Sequence, residues 1–214
     1  MKLIVFLVIL SCALATVGNA GSLVYFPRDI DPECRGGRAK IYDECTDQQT
    51  LFTQALAEAR RQDKVLMVSY GAEWCIWCHV FYDYVSGVSG KFTHTYSDYD
   101  DKERFTSTLY ERAKHDVTAE AQALGSFVAD NFILLHLENR YAQGADAAVA
   151  STGYNPADIS WLPFVFTVRS NGRFAMMLES KEVETRRDGF FDWFRGYDRK
   201  ALLGAQTEMR DAAR

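Results

Sequence analysis

The sequence predicts an α/β protein with a central mixed sheet of about four or five strands flanked by helices. Two continuous apolar runs, at 64–70 and 132–137, are typical of strands that are buried on both faces. A third apolar run at 161–168 is followed by an Asn-Gly turn and a partner strand at 173–178, which indicates a hairpin. The segments between these strands are amphipathic, so helices are expected on the sheet.

Helices are predicted before, between and after these strands. The first follows Thr46-Asp47-Gln48-Gln49, which is typical of a capping box, and its apolar residues recur at helical spacing up to position 61. A second helix is predicted over most of 105–131 and a closing helix over 188–209. The closing helix would carry an aromatic face made of Phe190, Phe191, Trp193 and Phe194.

The first 20 residues have the organisation of a secretory signal peptide. Lys2 precedes an apolar run at 3–15, and small residues lead to a predicted cleavage site after Ala20. The alternatives are an uncleaved anchor, for which the run is short against a span of about 20 residues, and a lipoprotein anchor on Cys12. The protein is therefore expected to be exported, periplasmic in a Gram-negative bacterium and secreted otherwise, without stable membrane insertion.

The charge pattern argues against a nucleic-acid partner. The chain has 24 Lys and Arg against 29 Asp and Glu, a formal net charge of −5, and its basic residues are scattered. An acidic stretch lacks the glycine and the ligand spacing of a calcium loop, so it predicts a solvated turn and no metal site. The acidic residues of that stretch are Asp98, Asp100, Asp101 and Glu103.

Four cysteines remain after removal of the signal peptide, and an even number in an exported chain implies pairing. Their spacing suggests one pair between Cys34 and Cys45 and another between Cys75 and Cys78. The first pair lies in a loop-rich N-terminal arm at 21–45, where a structural disulfide is expected and a second redox pair is the alternative.

The stretch Trp74-Cys75-Ile76-Trp77-Cys78-His79 lies where the first buried strand meets the start of a helix. The unpaired N–H groups and positive dipole of a helix N-terminus favour a thiolate, the nucleophilic form of cysteine. Cys75 is therefore the predicted nucleophile. Cys78 follows one helical turn later, within reach to close a disulfide on Cys75 after Cys75 has attacked a partner.

The segment 72–78 after its hydrophobic strand resembles the active site of the thioredoxin superfamily, and Trp77-Cys78-His79 is similar to its larger secreted members. The resemblance covers roughly 48–203 and includes the order helix, strand, cysteines, helix. It implies a thioredoxin-like domain at 46–214 without a cofactor. It also implies a thiol–disulfide oxidoreductase that acts on protein thiols and disulfides. Because an exported protein works in an oxidising compartment, a membrane electron donor or acceptor is expected as a further partner.

Roles are also expected for other residues of the site, of which those of Pro163 and Leu162 are implied by the resemblance. Pro163 matches the cis-proline of the superfamily, and the backbone of Leu162 would pair with an extended substrate segment. Trp74 and Trp77 would offer the substrate an apolar platform, although either could equally belong to the core. Glu73 and His79 are candidates for tuning the pKa of Cys75, with simple packing of the helix as the other role for His79. His136, inside the second buried strand, is expected to be a hydrogen-bonded core residue rather than a catalytic one.

Two departures from a minimal thioredoxin stand out. Cys75 and Pro163 are 88 positions apart, about twice the minimal separation, which predicts a largely helical insertion at about 86–131. Ser69 occupies the position at which thioredoxins carry a buried aspartate that serves the second thiol. Proton transfer would then use water, Glu73 or His79, and the direction of electron flow stays open between reduction, oxidation and isomerisation.

Three other functions are compatible with the cysteine motif. Cys75-Ile76-Trp77-Cys78-His79 satisfies the C-x-x-C-H pattern of covalent haem attachment, with His79 as an axial ligand. A metal site on Cys75, Cys78 and His79 would lack an evident fourth ligand. A non-catalytic binding module of the same fold is the main alternative to the enzyme.

Overall fold

The computed structural model describes residues 22–98, 100, 102–111, 115–186 and 195–214. Two short 3-10 turns, at Cys34–Gly36 and Pro156–Asp158, accompany the regular elements. The helices and strands are, in chain order, β1 Val24–Phe26, α1 Gln48–Arg61, β2 Val65–Gly71, α2 Ile76–Val85, β3 Lys91–Ser97, β4 Arg104–Tyr110, α3 Thr118–Asn131, β5 Phe132–Glu138, α4 Ala145–Ser151, β6 Phe164–Val168, β7 Phe174–Met177, α5 Ser180–Val183, β8 Glu184–Arg186, β9 Arg195–Tyr197 and α6 Arg199–Ala213.

Five strands form the central mixed sheet in the order β1-β5-β2-β6-β7. β1 and β2 run parallel to β5, whereas β6 is antiparallel to both β2 and β7. The predicted α/β class with a mixed sheet of four or five strands is confirmed. The two continuous apolar runs became β2 and β5, which are buried at every position because helices cover both faces.

Side-chain alternation along the central strands divides the core into two layers. Met67 and Leu134 point into one layer, with side chains of α2, α3 and α6. Leu66 and Ile133 point into the other, with side chains of α1 and α4. The sheet is therefore held between two sets of helices, and the carboxyl end of β2 emerges between them.

The N-terminal arm is less irregular than its composition predicts. Val24–Phe26 forms β1, an edge strand of the main sheet that sequence reasoning missed because it has only three residues. The predicted disulfide between Cys34 and Cys45 is present, with a Cα–Cα distance of 6.0 Å. Ile41 and Tyr42, which precede α1, are buried against the rest of the protein.

The start of α1 differs in detail from the predicted capping box. Asp47, rather than Thr46, is the N-cap, and its carboxylate accepts a hydrogen bond from the Thr50 N–H at 2.8 Å. Gln48 instead turns inward, where its amide donates to the Asp43 carbonyl and accepts from the Glu138 N–H. A carboxylate is a good acceptor for the unpaired N–H groups of a helix start, so Asp47 takes the capping role.

The expectation of a largely helical insertion at 86–131 is wrong. Its first half forms an antiparallel hairpin of β3 and β4, and helix α3 begins only at Thr118. Threonine pairs face each other across the hairpin, with hydroxyl oxygens 3.2 Å apart for Thr93 and Thr108. The β-branched and aromatic residues of β4 favour a strand. This preference outweighed the helical spacing of the few apolar residues, on which the prediction of a helix was based.

The closing helix is shorter than predicted. Arg195–Tyr197 is strand β9, paired with β8, and α6 begins at Arg199 after the N-cap Asp198. The aromatic residues predicted on this helix, Phe190, Phe191, Trp193 and Phe194, lie outside the described residues, as does the signal peptide predicted at 1–20. Within the described part of the chain, no helix is long and apolar enough to cross a lipid bilayer.

Candidate functional site: a cysteine pair between a strand and a helix

The cysteine pair lies at the junction between β2 and α2. Cys75 is the N-cap of α2 in an extended conformation, and its N–H donates to the Ala72 carbonyl at 3.0 Å. The Cys75 carbonyl in turn accepts from the Cys78 N–H at 2.9 Å, which closes the first turn. Cys75 therefore lies at the helix N-terminus, where the unpaired N–H groups favour a negative charge.

The two thiols have different environments. Neither Cys75 nor Cys78 forms a disulfide. Cys75 is 5% exposed, whereas Cys78 has no exposed surface. Burial, and then the neighbouring Cys75, raise the pKa of Cys78 well above its usual value, so Cys78 is a neutral thiol at neutral pH. A partner would therefore meet Cys75 first.

A groove of about 670 Å³ opens beside Cys75. Its lining includes three of the predicted substrate-binding residues, Trp74, Trp77 and Leu162, together with Trp161, which sequence reasoning did not place at the site. Trp161 is 36% exposed, a large value for an indole. The groove thus presents an aromatic and apolar wall next to the outer thiol.

The start of β6 reaches the cysteine pair because β2 and β6 are antiparallel neighbours. Tyr70 pairs with Phe164, so the end of one strand and the start of the other lie at the same edge of the sheet. The peptide bond between Leu162 and Pro163 is cis, as in the superfamily that the sequence resembles. Leu162 also packs against the cluster that contains both cysteines.

Glu73 and His79, the residues predicted to tune Cys75, both bind backbone groups. The Glu73 carboxylate accepts hydrogen bonds from the N–H groups of Ile41 and Tyr42 at 3.1 and 3.0 Å, which anchors the arm. His79 Nε2 lies 2.8 Å from the Glu73 carbonyl oxygen and therefore donates to it. Burial lowers the pKa of His79, so its ring is neutral at neutral pH and supports the turn rather than supplying a positive charge.

Tyr42 is a site residue that the motif gave no reason to expect. Its hydroxyl lies 2.9 Å from the Ser69 hydroxyl, and its ring packs with Cys75 and Cys78. Gly71 makes room for this arrangement. A Cβ on Gly71 would lie only 2.6 Å from Cys78 Sγ and 2.7 Å from the Tyr42 hydroxyl oxygen. Ser69, the position that departs from the thioredoxin pattern, is thus the partner of a buried tyrosine.

His136 is buried in β5 behind this tyrosine. The prediction that it is a core residue is confirmed, but the expected hydrogen bonds are absent, since neither ring nitrogen has a partner among the described residues. Its ring instead contacts Tyr25, Tyr42 and Tyr82, with centroids 6.4, 5.0 and 5.2 Å away. Burial lowers the pKa of His136 to about 3, which keeps the imidazole neutral.

The surroundings of the cysteine pair also bear on the two alternatives in which the motif binds a haem or a metal ion. A haem bound through His79 would require breaking the hydrogen bond between its Nε2 and the Glu73 carbonyl in a buried site. In the part of the chain that the structure describes, no group of three or more His, Cys, Asp and Glu side chains is arranged to hold a metal ion.

No family model matches the chain, and no curated protein matches it either.

Proposed function

We propose that the chain is an exported, thioredoxin-like thiol–disulfide oxidoreductase that acts on protein disulfides through Cys75 and Cys78. The observation that carries the proposal is the asymmetry of the pair. One thiol lies at a helix N-terminus on the edge of a groove, and the other is fully buried one turn further along the helix. An attacking thiol needs access and stabilisation of its thiolate, whereas a resolving thiol needs proximity to the first sulfur.

The fold supports the thioredoxin-like assignment. The order α1, β2, cysteine pair, α2 is the one on which the resemblance depends, and the cis bond before Pro163 is a feature that the resemblance implies. A disulfide at Cys34 and Cys45 supports export, since such bonds persist mainly in oxidising compartments. Export in turn calls for a partner that renews the redox state of the pair, which we propose is a membrane electron donor or acceptor.

The proposed reaction proceeds in two exchanges. In the first, the Cys75 thiolate attacks one sulfur of a partner disulfide, the partner S–S bond breaks, and the leaving partner sulfur takes up a proton. In the second, Cys78 gives up its proton and attacks Cys75, which releases the other partner sulfur as a thiol. The partner disulfide is reduced by two electrons and the cysteine pair is oxidised. The same steps in reverse would insert a disulfide into a partner.

The test is to trap the first intermediate. The variant Cys78→Ser is expected to accumulate a mixed disulfide through Cys75 with a disulfide-bonded protein such as insulin, detected on non-reducing gels. Cys75→Ser is the matched control, since it removes the attacking sulfur and keeps the buried one. Insulin reduction by Cys75→Ser at the rate of the unaltered protein, with dithiothreitol as the electron source, would overturn the proposal.

A non-catalytic binding module is the second candidate, and the low exposure of Cys75 is the observation that favours it. Alkylation of the reduced, folded protein with iodoacetamide separates the two. The enzyme is expected to be modified rapidly at Cys75. A binding module with an inaccessible pair would be modified only after unfolding.

A further inference from the structure

The N-terminal arm brings a phenol hydroxyl to the buried sulfur of the cysteine pair. Tyr42 has no exposed surface, and it belongs to the same apolar cluster as Cys78. The hydroxyl of Tyr42 and the sulfur of Cys78 both lie within 2.7 Å of the point that a Cβ on Gly71 would occupy. Burial raises the pKa of Cys78, and the Tyr42 hydroxyl beside its sulfur lowers it. A hydroxyl group on the arm therefore lies beside a sulfur that takes part in the proposed reaction.

Several contacts fix this hydroxyl in place. The Cys34–Cys45 disulfide closes the arm, and the Glu73 carboxylate holds the backbone N–H of Tyr42 at 3.0 Å. Ser69 Oγ lies 2.9 Å from the Tyr42 hydroxyl oxygen. A group held in this way before the reaction begins needs little rearrangement to act on a charge that develops beside it.

We propose that Tyr42 is a catalytic residue of the cysteine pair, and that its hydroxyl donates a hydrogen bond to the Cys78 sulfur when that sulfur becomes a thiolate. The inference rests on the oxidoreductase function proposed above. In the resolving step, Cys78 loses its proton and forms a bond to the Cys75 sulfur. The bond between Cys75 and the partner sulfur breaks, and the partner sulfur leaves with the electron pair and takes up the proton. Tyr42 keeps its own proton throughout.

The physical need for such a donor comes from burial. A thiolate without exposed surface loses its hydration, and hydrogen bonds from the protein offset that loss. Burial raises the pKa of Tyr42 well above its usual value, so its hydroxyl stays protonated and able to donate. If the Ser69 hydroxyl donates to the Tyr42 oxygen, the Tyr42 proton is left for the sulfur. Ser69 is thus a positioning residue, and two hydroxyls occupy the region where thioredoxins use a carboxylate.

The remaining groups around Cys78 do not take over this role. Cys75 carries no charge while it is part of a mixed disulfide, and the Ala72 backbone lowers the pKa of Cys78 less than burial raises it. His136 faces the Tyr42 ring from β5 and is neutral, because burial lowers its pKa to about 3. The Glu73 carboxylate faces the backbone of the arm. Among the residues that the structure describes, the Tyr42 hydroxyl is therefore our candidate for a side-chain donor from outside the motif.

The experiment uses Tyr42→Phe, which removes the hydroxyl and keeps the ring. The mixed disulfide between Cys75 and insulin is expected to form at the unaltered rate and to resolve about tenfold more slowly, since a hydrogen bond to a charged group is lost. In a Cys75→Ser background, the pKa of Cys78, followed by thiolate absorbance near 240 nm, is expected to rise by about one unit for the same reason. Ser69→Ala is expected to change both quantities in the same direction by less.

Tyr84→Phe is the matched control. Tyr84 is almost fully buried on α2 and its ring lies under Arg199, so the variant loses a buried phenol hydroxyl away from the sulfur pair. It is expected to leave the resolving rate and the pKa of Cys78 unchanged. If Tyr42→Phe also leaves both unchanged while the unaltered protein forms and resolves mixed disulfides, the role of Tyr42 is refuted and the enzyme stands. If the unaltered protein forms no mixed disulfide, the oxidoreductase function itself fails.

Discussion

Gly71→Ala tests whether the last residue of β2 must lack a side chain. Gly71 lies beside the Tyr42 hydroxyl and the Cys78 sulfur, and a Cβ would approach these atoms to 2.7 and 2.6 Å. Side-chain carbons essentially never approach other heavy atoms closer than 3.0 Å, so one of the neighbours must shift. Tyr42 has no exposed surface and Cys78 lies in the first turn of a helix, which leaves little freedom for either. Forcing a methyl group into such a packed site costs about 1–3 kcal/mol of unfolding free energy.

The assay is equilibrium unfolding in urea, followed by circular dichroism and tryptophan fluorescence. Gly204→Ala is the matched control, since Gly204 lies in α6 and a Cβ at that position would point into open space. There the same change is expected to raise stability by up to about 1 kcal/mol, because alanine favours the helix. A Gly71→Ala protein as stable as the original, with an unchanged rate of thiol alkylation, would refute the packing described for the site.

Two further predictions concern the arm and the buried imidazole. Replacing both Cys34 and Cys45 by Ala removes a disulfide that joins residues 11 apart. On the chain-entropy model, this change is expected to lower the free energy of unfolding by about 3 kcal/mol. A value within about 0.5 kcal/mol of the original would contradict this. For His136, burial lowers the folded-state pKa to about 3 from a usual value of about 6.5, so the unfolded state takes up the proton first as the pH falls. The free energy of unfolding is then expected to fall as the pH is lowered from about 6.5 to about 3, by up to about 1.4 kcal/mol per pH unit. His136→Leu should lack this part of the pH dependence. Equal acid sensitivity of the two proteins would count against a neutral, buried His136.

The central sheet could be predicted because its strands have strong local signals. The runs that became β2 and β5 are apolar at nearly every position, which is typical of strands covered on both faces. The place of Cys75 at a helix start followed from the same reasoning, since the strand ends a few residues before it. The position of Leu162 next to the cysteines could also be predicted, although from the resemblance rather than from any local pattern.

The parts that sequence reasoning missed depend on weak or long-range signals. β1 is too short for a periodic pattern, and its place is set by pairing with β5. In β4, the spacing of Leu109 with later apolar residues imitated a helix, although the alternating threonines favoured a strand. The contact between Tyr42 and Cys78 joins residues 36 positions apart through a glycine on a third segment, and no motif encodes that meeting.

The redox equilibrium of the Cys75–Cys78 pair tests the central claim most directly. The protein would be equilibrated with dithiothreitol and glutathione buffers of graded potential, quenched, and alkylated, with the disulfide located by peptide mass spectrometry. We expect one reversible two-electron transition, with a Cys75–Cys78 disulfide and a midpoint between about −270 and −120 mV, the range spanned by known oxidoreductases of this chemistry. If no Cys75–Cys78 disulfide forms at any potential, the claim that these thiols are a redox pair is contradicted.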